Sequence, residues 1–462
     1  MQKTVNCLLF FLISTSMFAS GPRGIYVAFP VTSGPDYAAV QQYLITGPGA
    51  PYITGAACYR NWADLEPANG TYNWSTIDGT RGCLTEWASA DKHVGLILGT
   101  SSYGSSNRGT PAWYSTPAKI ANVFQTASTH VITLTVSART PLNFLVGKVA
   151  GQQIQLSGTG TGLDGVWTIL SSADSTHLTA QGVSANDGAS AAAGTAGNPM
   201  IIDRQDACGG GSPGQYLPVF WSPNFVNAWE AFLTAVTARY NGNPSVDFYQ
   251  PGFGRGFENY VADNAGGTAC DAVLDPLGYS TTSFLNYLSS MARFMAHAAA
   301  GKAVVFSINY LDYPGCSDRD SSRCDNADVL TMSSSAASAG LGLGSQGLRA
   351  SDLTANLTAG HCDNDSCAAF AAHPSAPVRE WQAATLSDPT GGNQTGNLAQ
   401  LLPFAVDNGA TILEPYTNDA LCAFDPAWAR SGNNTYAACN GAGYAQAFMS
   451  ATEALDVEPL AK

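Results

Sequence analysis

Charge is in short supply in this chain. Asp, Glu, Lys and Arg make up 12% of its 462 residues, about half the usual quarter. Basic residues are the scarcer kind, 20 against 34 acidic, for a net charge of −14. Without clustered Lys and Arg there is no electrostatic footprint for nucleic acid or for an anionic membrane surface. A neutral partner suits this balance, because it needs no opposite charge. Histidine is also sparse, six in all, and the eleven cysteines contain no C-x-x-C spacing. No metal-ligand cluster is legible, and neither metal nor cofactor is expected. Long apolar runs are missing after the first residues, so no membrane span is expected. No internal repeat is visible.

The N-terminus carries the one targeting signal. Lys3, the apolar run Leu8–Ile13 and the small residues Ala19 and Ser20 read as a signal peptide over residues 1–20. The run is too short to cross a bilayer. Export, to the medium or a periplasm, is therefore expected. Setting aside Cys7 leaves ten cysteines, an even number in spaced, loop-like contexts: Cys316 and Cys324, Cys362 and Cys367, Cys422 and Cys439. Several disulfides are expected, with a pairing that sequence does not fix. Six N-x-S/T sites begin at Asn69, Asn73, Asn356, Asn364, Asn393 and Asn433.

What is abundant is apolar and aromatic: 45% hydrophobic residues, with 9 Trp and 19 Tyr. The apolar share fills a sizeable core, and the rings serve equally as core or as platforms for sugars. From Gly24 the chain alternates strand and helix patterns. Gly24–Phe29, Ile53–Tyr59 and Val94–Leu98 read as strands, with helical spacing at Tyr37–Leu44 and Ile77–Ala90. Such alternation argues for a parallel sheet with covering helices.

From about Gln125 to Gly197 the composition shifts to Thr, Ser, Gly, Ala and Val. Val131–Val136, Ile154–Leu156, Val166–Leu170 and His177–Ala180 read as short strands between Gly-rich turns, and Ser184–Gly197 as an Ala/Gly/Ser linker. Residues 125–200 are thus expected to be a small all-β module inserted into the chain. Afterwards the alternation resumes. Asn227–Tyr240 and Ser283–Ala299 are helical. Val246–Tyr249, Ala303–Ile308, Leu341–Leu343, Val378–Ala383 and Ala410–Leu413 read as strands. Three strands before the insertion and five after it make eight. Residues 21–124 and 201–462 together suit one α/β unit, a (β/α)8 TIM barrel.

In such barrels chemistry is done at the C-terminal ends of the strands. Three glutamates fall near these ends: Glu258 after strand four, Glu380 in P-V-R-E-W-Q on strand seven, and Glu414 closing T-I-L-E-P-Y on strand eight. Two carboxyls flanking a bond are what glycoside hydrolysis needs, one to protonate the leaving oxygen and one to attack the anomeric carbon. The bland alternative is an ion pair with Arg255 or Arg379, or a helix cap.

The segment Tyr59–Asp78, Y-R-N-W-A-D-L-E-P-A-N-G-T-Y-N-W-S-T-I-D, resembles the second strand and loop of β-galactosidase-like glycoside hydrolases of the retaining (β/α)8-barrel superfamily. The resemblance continues through T-P-A-W at Thr110–Trp113 and P-V-F-W-S-P-N-F at Pro218–Phe225, and so covers most of the chain outside the insertion. It implies a carbohydrate substrate, an acid/base glutamate after strand four and a nucleophilic glutamate on strand seven. Those positions match Glu258 and Glu380. It further implies that Arg60 supports the nucleophile. Trp62, Trp113, Trp221 and Trp381 are candidate stacking residues. Asn259, Glu414 and Tyr416 are candidate substrate contacts, while Glu66 suits a turn-forming role. One position departs from the family pattern: Phe257, where the family places Asn, precedes Glu258. That departure keeps open a second class of function, a secreted carbohydrate-binding or surface protein that retains the barrel without activity.

Two other motifs fail on context. Gly160–Gly165 spells G-x-G-x-x-G among short strands, with no helix to offer its N-terminus to a phosphate. Gly210–Gly214 spells G-x-S-x-G, but Pro213 follows the serine and has no backbone N–H for an oxyanion hole.

Overall fold

A computed structural model describes residues 21–455 apart from 32, 102–108, 127–128, 138–147, 175, 183–188, 204–207, 209–214, 263–267, 310, 312–325, 355–364 and 432–433. The signal-peptide expectation at residues 1–20 lies outside the described residues, as do Cys316, Cys324 and Cys362.

Eight parallel strands close into a barrel. They are β1 (Gly24–Ala28), β2 (Gly55–Asn61), β3 (His93–Gly99), β4 (Val246–Pro251), β5 (Ala303–Ile308), β6 (Gly342–Leu348), β7 (Arg379–Ala383) and β8 (Ile412–Glu414). β8 closes the ring on β1. The fold class is therefore a (β/α)8 barrel, and each of its strands overlaps one of the eight read from the sequence.

Side chains alternate across each strand, and the two faces have different cores. Outward residues such as Leu96, Tyr249, Phe306 and Trp381 pack against the helices. The 18-residue helix Pro223–Tyr240 presents Phe225, Trp229, Phe232 and Val236 to this layer. The interior is filled by Tyr26, Ala57, Tyr59, Ile97, Phe248, Val305, Val378 and Ile412. Large residues there face glycines on adjacent strands. A methyl group on Gly95 would lie 2.1 Å from the Phe248 ring, and one on Gly344 would lie 2.5 Å from Glu380 Oε2. Glycine in these strands makes room for a neighbour's side chain.

Some local expectations change. The helix predicted over Ile77–Ala90 is split into Ser75–Asp78 and Cys83–Ala88, because Gly79 and Gly82 pack so closely on the preceding turn that neither has space for a Cβ. The Ala/Gly/Ser stretch predicted as a linker contains two short paired strands, Ser190–Ala191 and Thr195–Gly197. These belong to a seven-stranded antiparallel sheet with its own core, in which Val123, Ile132, Leu134, Ile154, Trp167 and Leu178 are buried. Its first strand, Ala118–Thr126, was not visible as alternation because an irregularity between Ile120 and Asn122 breaks the period. The sheet meets the barrel through Asn224, whose amide exchanges hydrogen bonds of 2.8 Å with the backbone of Gln153.

Between described residues, disulfides join Cys58 to Cys83, Cys208 to Cys270 and Cys422 to Cys439. Among the described residues no helix is long and apolar enough to cross a membrane.

Candidate active site at the barrel mouth

The interior becomes polar toward the C-terminal end of the strands. Gln250, Ser307, Glu380, Gln382 and Glu414 are all buried there, each at 5% exposure or less. Register fixes their depth. Gly344 pairs with Glu380, Glu380 with Ile412, and Gln382 with Glu414. Glu380 thus lies one interior layer below Gln382 and Glu414, roughly 6–7 Å deeper along the strands.

Glu414 is held from two sides. Its Oε1 accepts from the Tyr59 hydroxyl at 2.5 Å and from Gln382 Nε2 at 3.0 Å. Burial raises its pKa to about 8, while these two donors pull it down. Glu380 has no such help. Both of its oxygens are buried without a hydrogen-bond partner among the described residues, as are both amide atoms of Gln250 and the Ser307 hydroxyl. Burial first, and the neighbouring Glu414 charge second, hold the Glu380 carboxyl well above the usual range. Two buried carboxyls that raise one another titrate as a pair rather than ionise together. Glu380, lacking donors, keeps its proton more firmly, and Glu414 takes the negative charge first.

Glu258 stands on the loop after β4, half-buried at the mouth. The loop curls on itself: Gly254 N donates to Glu258 O and Arg255 N to Tyr260 O, both at 2.8 Å. Asn259 pins it to the barrel, with Oδ1 accepting from Phe253 N at 2.9 Å and Nδ2 donating to Ser307 O at 2.7 Å. These bonds occupy the side chain that was a candidate substrate contact, and its burial is complete. The charge of Glu258 reaches Tyr416, whose pKa is pushed up to about 12 by burial first, then by Glu414, Asp419 and Glu258. Tyr416 and the three glutamates therefore belong to one electrostatic neighbourhood.

Phe257 now has a physical account. A methyl group on Gly99 of β3 would lie 2.6 Å from its ring, and it meets Tyr59 edge-on at 4.9 Å. It plugs the interior above a strand that lacks a side chain at that level.

Other candidates lie elsewhere. Arg60 points away from the barrel interior and donates to the carbonyls of Tyr59 and Thr76, so the structure does not bring it to Glu380. Its neighbour Tyr59 occupies the inward position, by the two-residue alternation of a strand. Trp62 is fully buried among Trp113, Phe225 and Trp229, with Nε1 donating to Glu66 at 2.6 Å. Trp381 packs outside the barrel on Phe370 and Phe404. Neither presents a ring to a sugar here. Trp113 and Trp221 are half-buried and donate to the carbonyls of Glu66 and Leu277. Glu66 accepts from Gly70 N at 2.7 Å and ties its own turn.

Tyr59, Gln250, Ser307 and Gln382 went unnoticed in the sequence. Counting two residues from Glu380 along β7 identifies Gln382. The others carry no signal until barrel closure brings their strands together. At the opposite end of the barrel, Asp247 links the hydroxyl of Tyr26 to His93, and that face is the stability end of such folds. Among the described residues no group of three or more His, Cys, Asp or Glu could hold a metal ion.

No protein-family model matches the chain, and no curated protein matches it. Among solved structures it is similar to the catalytic domain of β-amylase from Paenibacillus polymyxa, at 10% identity over 86% of this chain and 93% of that one, with a TM-score of 0.43. It is also similar to endo-glycoceramidase II from Rhodococcus sp., at 12% identity over 86% and 73% of the two chains, with a TM-score of 0.39. A third is the β-galactosidase from Marinomonas ef1, at 10% identity over 94% and 62% of the chains, with a TM-score of 0.41.

Proposed function

We propose that this chain is an exported glycoside hydrolase that cleaves O-glycosidic bonds by a retaining mechanism. Glu258 serves as the acid/base and Glu380 as the nucleophile. The observation that carries this reading is Glu380: a carboxyl buried in the barrel interior, with neither oxygen partnered among the described residues and its pKa raised by the charge of a second carboxyl, Glu414. A structural role gives such a group hydrogen bonds, and leaving it bare costs on the order of 1–3 kcal/mol or more. Bare, perturbed carboxyls belong to sites that act on something. Glu414 tunes Glu380: its charge favours the proton on Glu380, and attack on the anomeric carbon requires that proton to pass to Glu414 first, so that Glu380 reacts as the carboxylate. Tyr59 and Gln382 set how much charge Glu414 carries. A β-galactoside fits the sequence resemblance. The barrel with its helices is the catalytic unit, and the seven-stranded sheet between Ala118 and Gly197 is a module carried on it.

Turnover of aryl and natural glycosides by three variants tests the assignment. Glu380→Gln should remove nearly all activity. Glu258→Gln should lose about 10²–10⁴-fold on substrates with poor leaving groups. It should lose far less on activated aryl glycosides, with azide rescuing the second step. Glu414→Gln should be milder. A sugar-bound structure should place the Glu258 and Glu380 carboxyls about 5–5.5 Å apart; about 6.5–9.5 Å would mean inversion instead. Wild-type rates in Glu380→Gln would remove it from the mechanism.

One observation favours the second reading, a glycan-binding barrel without activity. Tyr59 and Phe257, each 8% exposed, cap the interior around the carboxyl pair. A protein that binds glycosides but cleaves none of them would decide for that reading.

A further inference from the structure

Phe29, the first residue after β1, combines three features found together at no other described residue. It is an aromatic side chain at φ +52°, a region where a bulky residue is a steric outlier. It is 44% exposed. The three other large hydrophobics exposed to this degree, Phe124, Val149 and Leu170, belong to the inserted segment. Finally, it is stacked on the site itself. Its ring lies over Tyr59 at 3.9 Å and 20° between planes, and beside Tyr416 at 5.7 Å and 28°.

Burial does not explain the strain, since the ring remains open to solvent. Nor does a turn, because Gly or Asn would adopt this backbone at less cost. The strained backbone instead lays one face of Phe29 on Tyr59, the residue that donates to Glu414, and leaves the ring open at the barrel mouth. A pyranose with one face of axial C–H bonds is neutral, flat enough to stack and demanding of no charge, which suits a chain with a net charge of −14.

We propose that Phe29 is a sugar-stacking residue: its exposed face forms the wall of a subsite that takes a pyranose by its apolar C–H face, next to the Tyr59–Glu414 pair. This deepens the glycosidase reading and rests on it for the identity of the ligand as a glycoside. Phe29 contributes binding and orientation and takes no part in proton transfer.

The test exploits the strain. Phe29→Gly relieves the backbone while removing the ring, so it should fold with a Tm near or above that of the wild type. KM for p-nitrophenyl β-galactoside should rise at least tenfold with kcat within about threefold. Phe29→Trp keeps a ring and should hold KM within about threefold. A structural residue would show the opposite pattern, a lower Tm in Phe29→Gly with unchanged KM, and that result would overturn the proposal. If the unmutated protein cleaves no glycoside, the catalytic reading fails by itself. The subsite is then read by calorimetric titration with the methyl β-glycosides of galactose, glucose, mannose and xylose. Binding to any of the four that is lost in Phe29→Gly and kept in Phe29→Trp sustains the proposal. Binding to none, or binding indifferent to Phe29, refutes it.

Discussion

The buried carboxyl pair should make the protein less stable as pH rises, and replacing Glu414 should reverse much of that. Glu414 is 1% exposed, and its pKa is raised from 4.5 to about 8, burial being the largest cause. The native state therefore holds a proton that the unfolded chain releases between these two values. For a group raised in this sense, the stabilising contribution is complete below pH 4.5 and is lost as pH climbs to about 8. At 1.36 kcal/mol per tenfold change, the span corresponds to roughly 5 kcal/mol, a large share of the 5–15 kcal/mol typical of a folded protein. Glu414→Gln preserves shape and removes the titration. Its stability should stay near wild type at pH 4.5 and exceed it by several kcal/mol at pH 8.5. Glu380→Gln should act in the same direction, because it removes the other member of the pair. Asp419, which burial raises to about 7, slopes the same way but equally in all three proteins, so the difference between curves isolates the pair. The assay is denaturant unfolding at half-unit steps from pH 4.5 to 8.5. Parallel curves for wild type and both variants would refute the burial and coupling described here.

The same pair predicts a kinetic shift. Glu414→Gln removes the negative neighbour that raises Glu380, so the acidic limb of kcat/KM should move to lower pH; an unmoved limb would separate Glu380 from the nucleophile role. Gly344→Ala would place a methyl group 2.5 Å from Glu380 Oε2 and 2.6 Å from Val305 Cγ1. It should destabilise by about 1–3 kcal/mol in urea and depress kcat, and a silent variant would mean that Glu380 does not occupy this position. Trp62→Ala empties a fully buried site and should cost about 3–5 kcal/mol by chemical denaturation, whereas a selective rise in KM with intact stability would restore Trp62 as a sugar contact. Cys58→Ala with Cys83→Ala opens a loop spanning 25 residues and should lower unfolding free energy by about 3 kcal/mol; a double variant as stable as the oxidised wild type would refute this.

How much was legible depended on how far apart in sequence the partners stand. The strands were readable because each is a local run. Val94–Leu98 is apolar and β-rich between turns, and it forms β3 wherever the rest of the chain goes. Depth inside the barrel was not readable, because it is set by register between strands distant in sequence. Nothing near Glu380 announces that it pairs with Ile412 and Gly344, or that Gln382 lies level with Glu414. Arg60 and Tyr59 show the same limit at the scale of one residue. Both are adjacent to the β2 end, and only the inward or outward phase of the strand decides which one reaches the carboxyls. That phase is fixed by Ala57 and Tyr59 facing the interior core. For the tryptophans, sequence left core and sugar platform both open for a related reason. Trp62 and Trp381 are polar at one atom only, and a ring that buries most of its area against helices gains more than one left at the mouth. Phe29 went the other way. A lone phenylalanine at the end of an apolar strand reads as core, and only its backbone angle and open face distinguish it. Residues whose role opposes their intrinsic preference are where a local reading of sequence fails, and such conflicts gather at functional sites. In this barrel they gather at one place: a strained, exposed Phe29 stacked on a tyrosine that donates to a buried glutamate, next to another glutamate with no donor among the described residues.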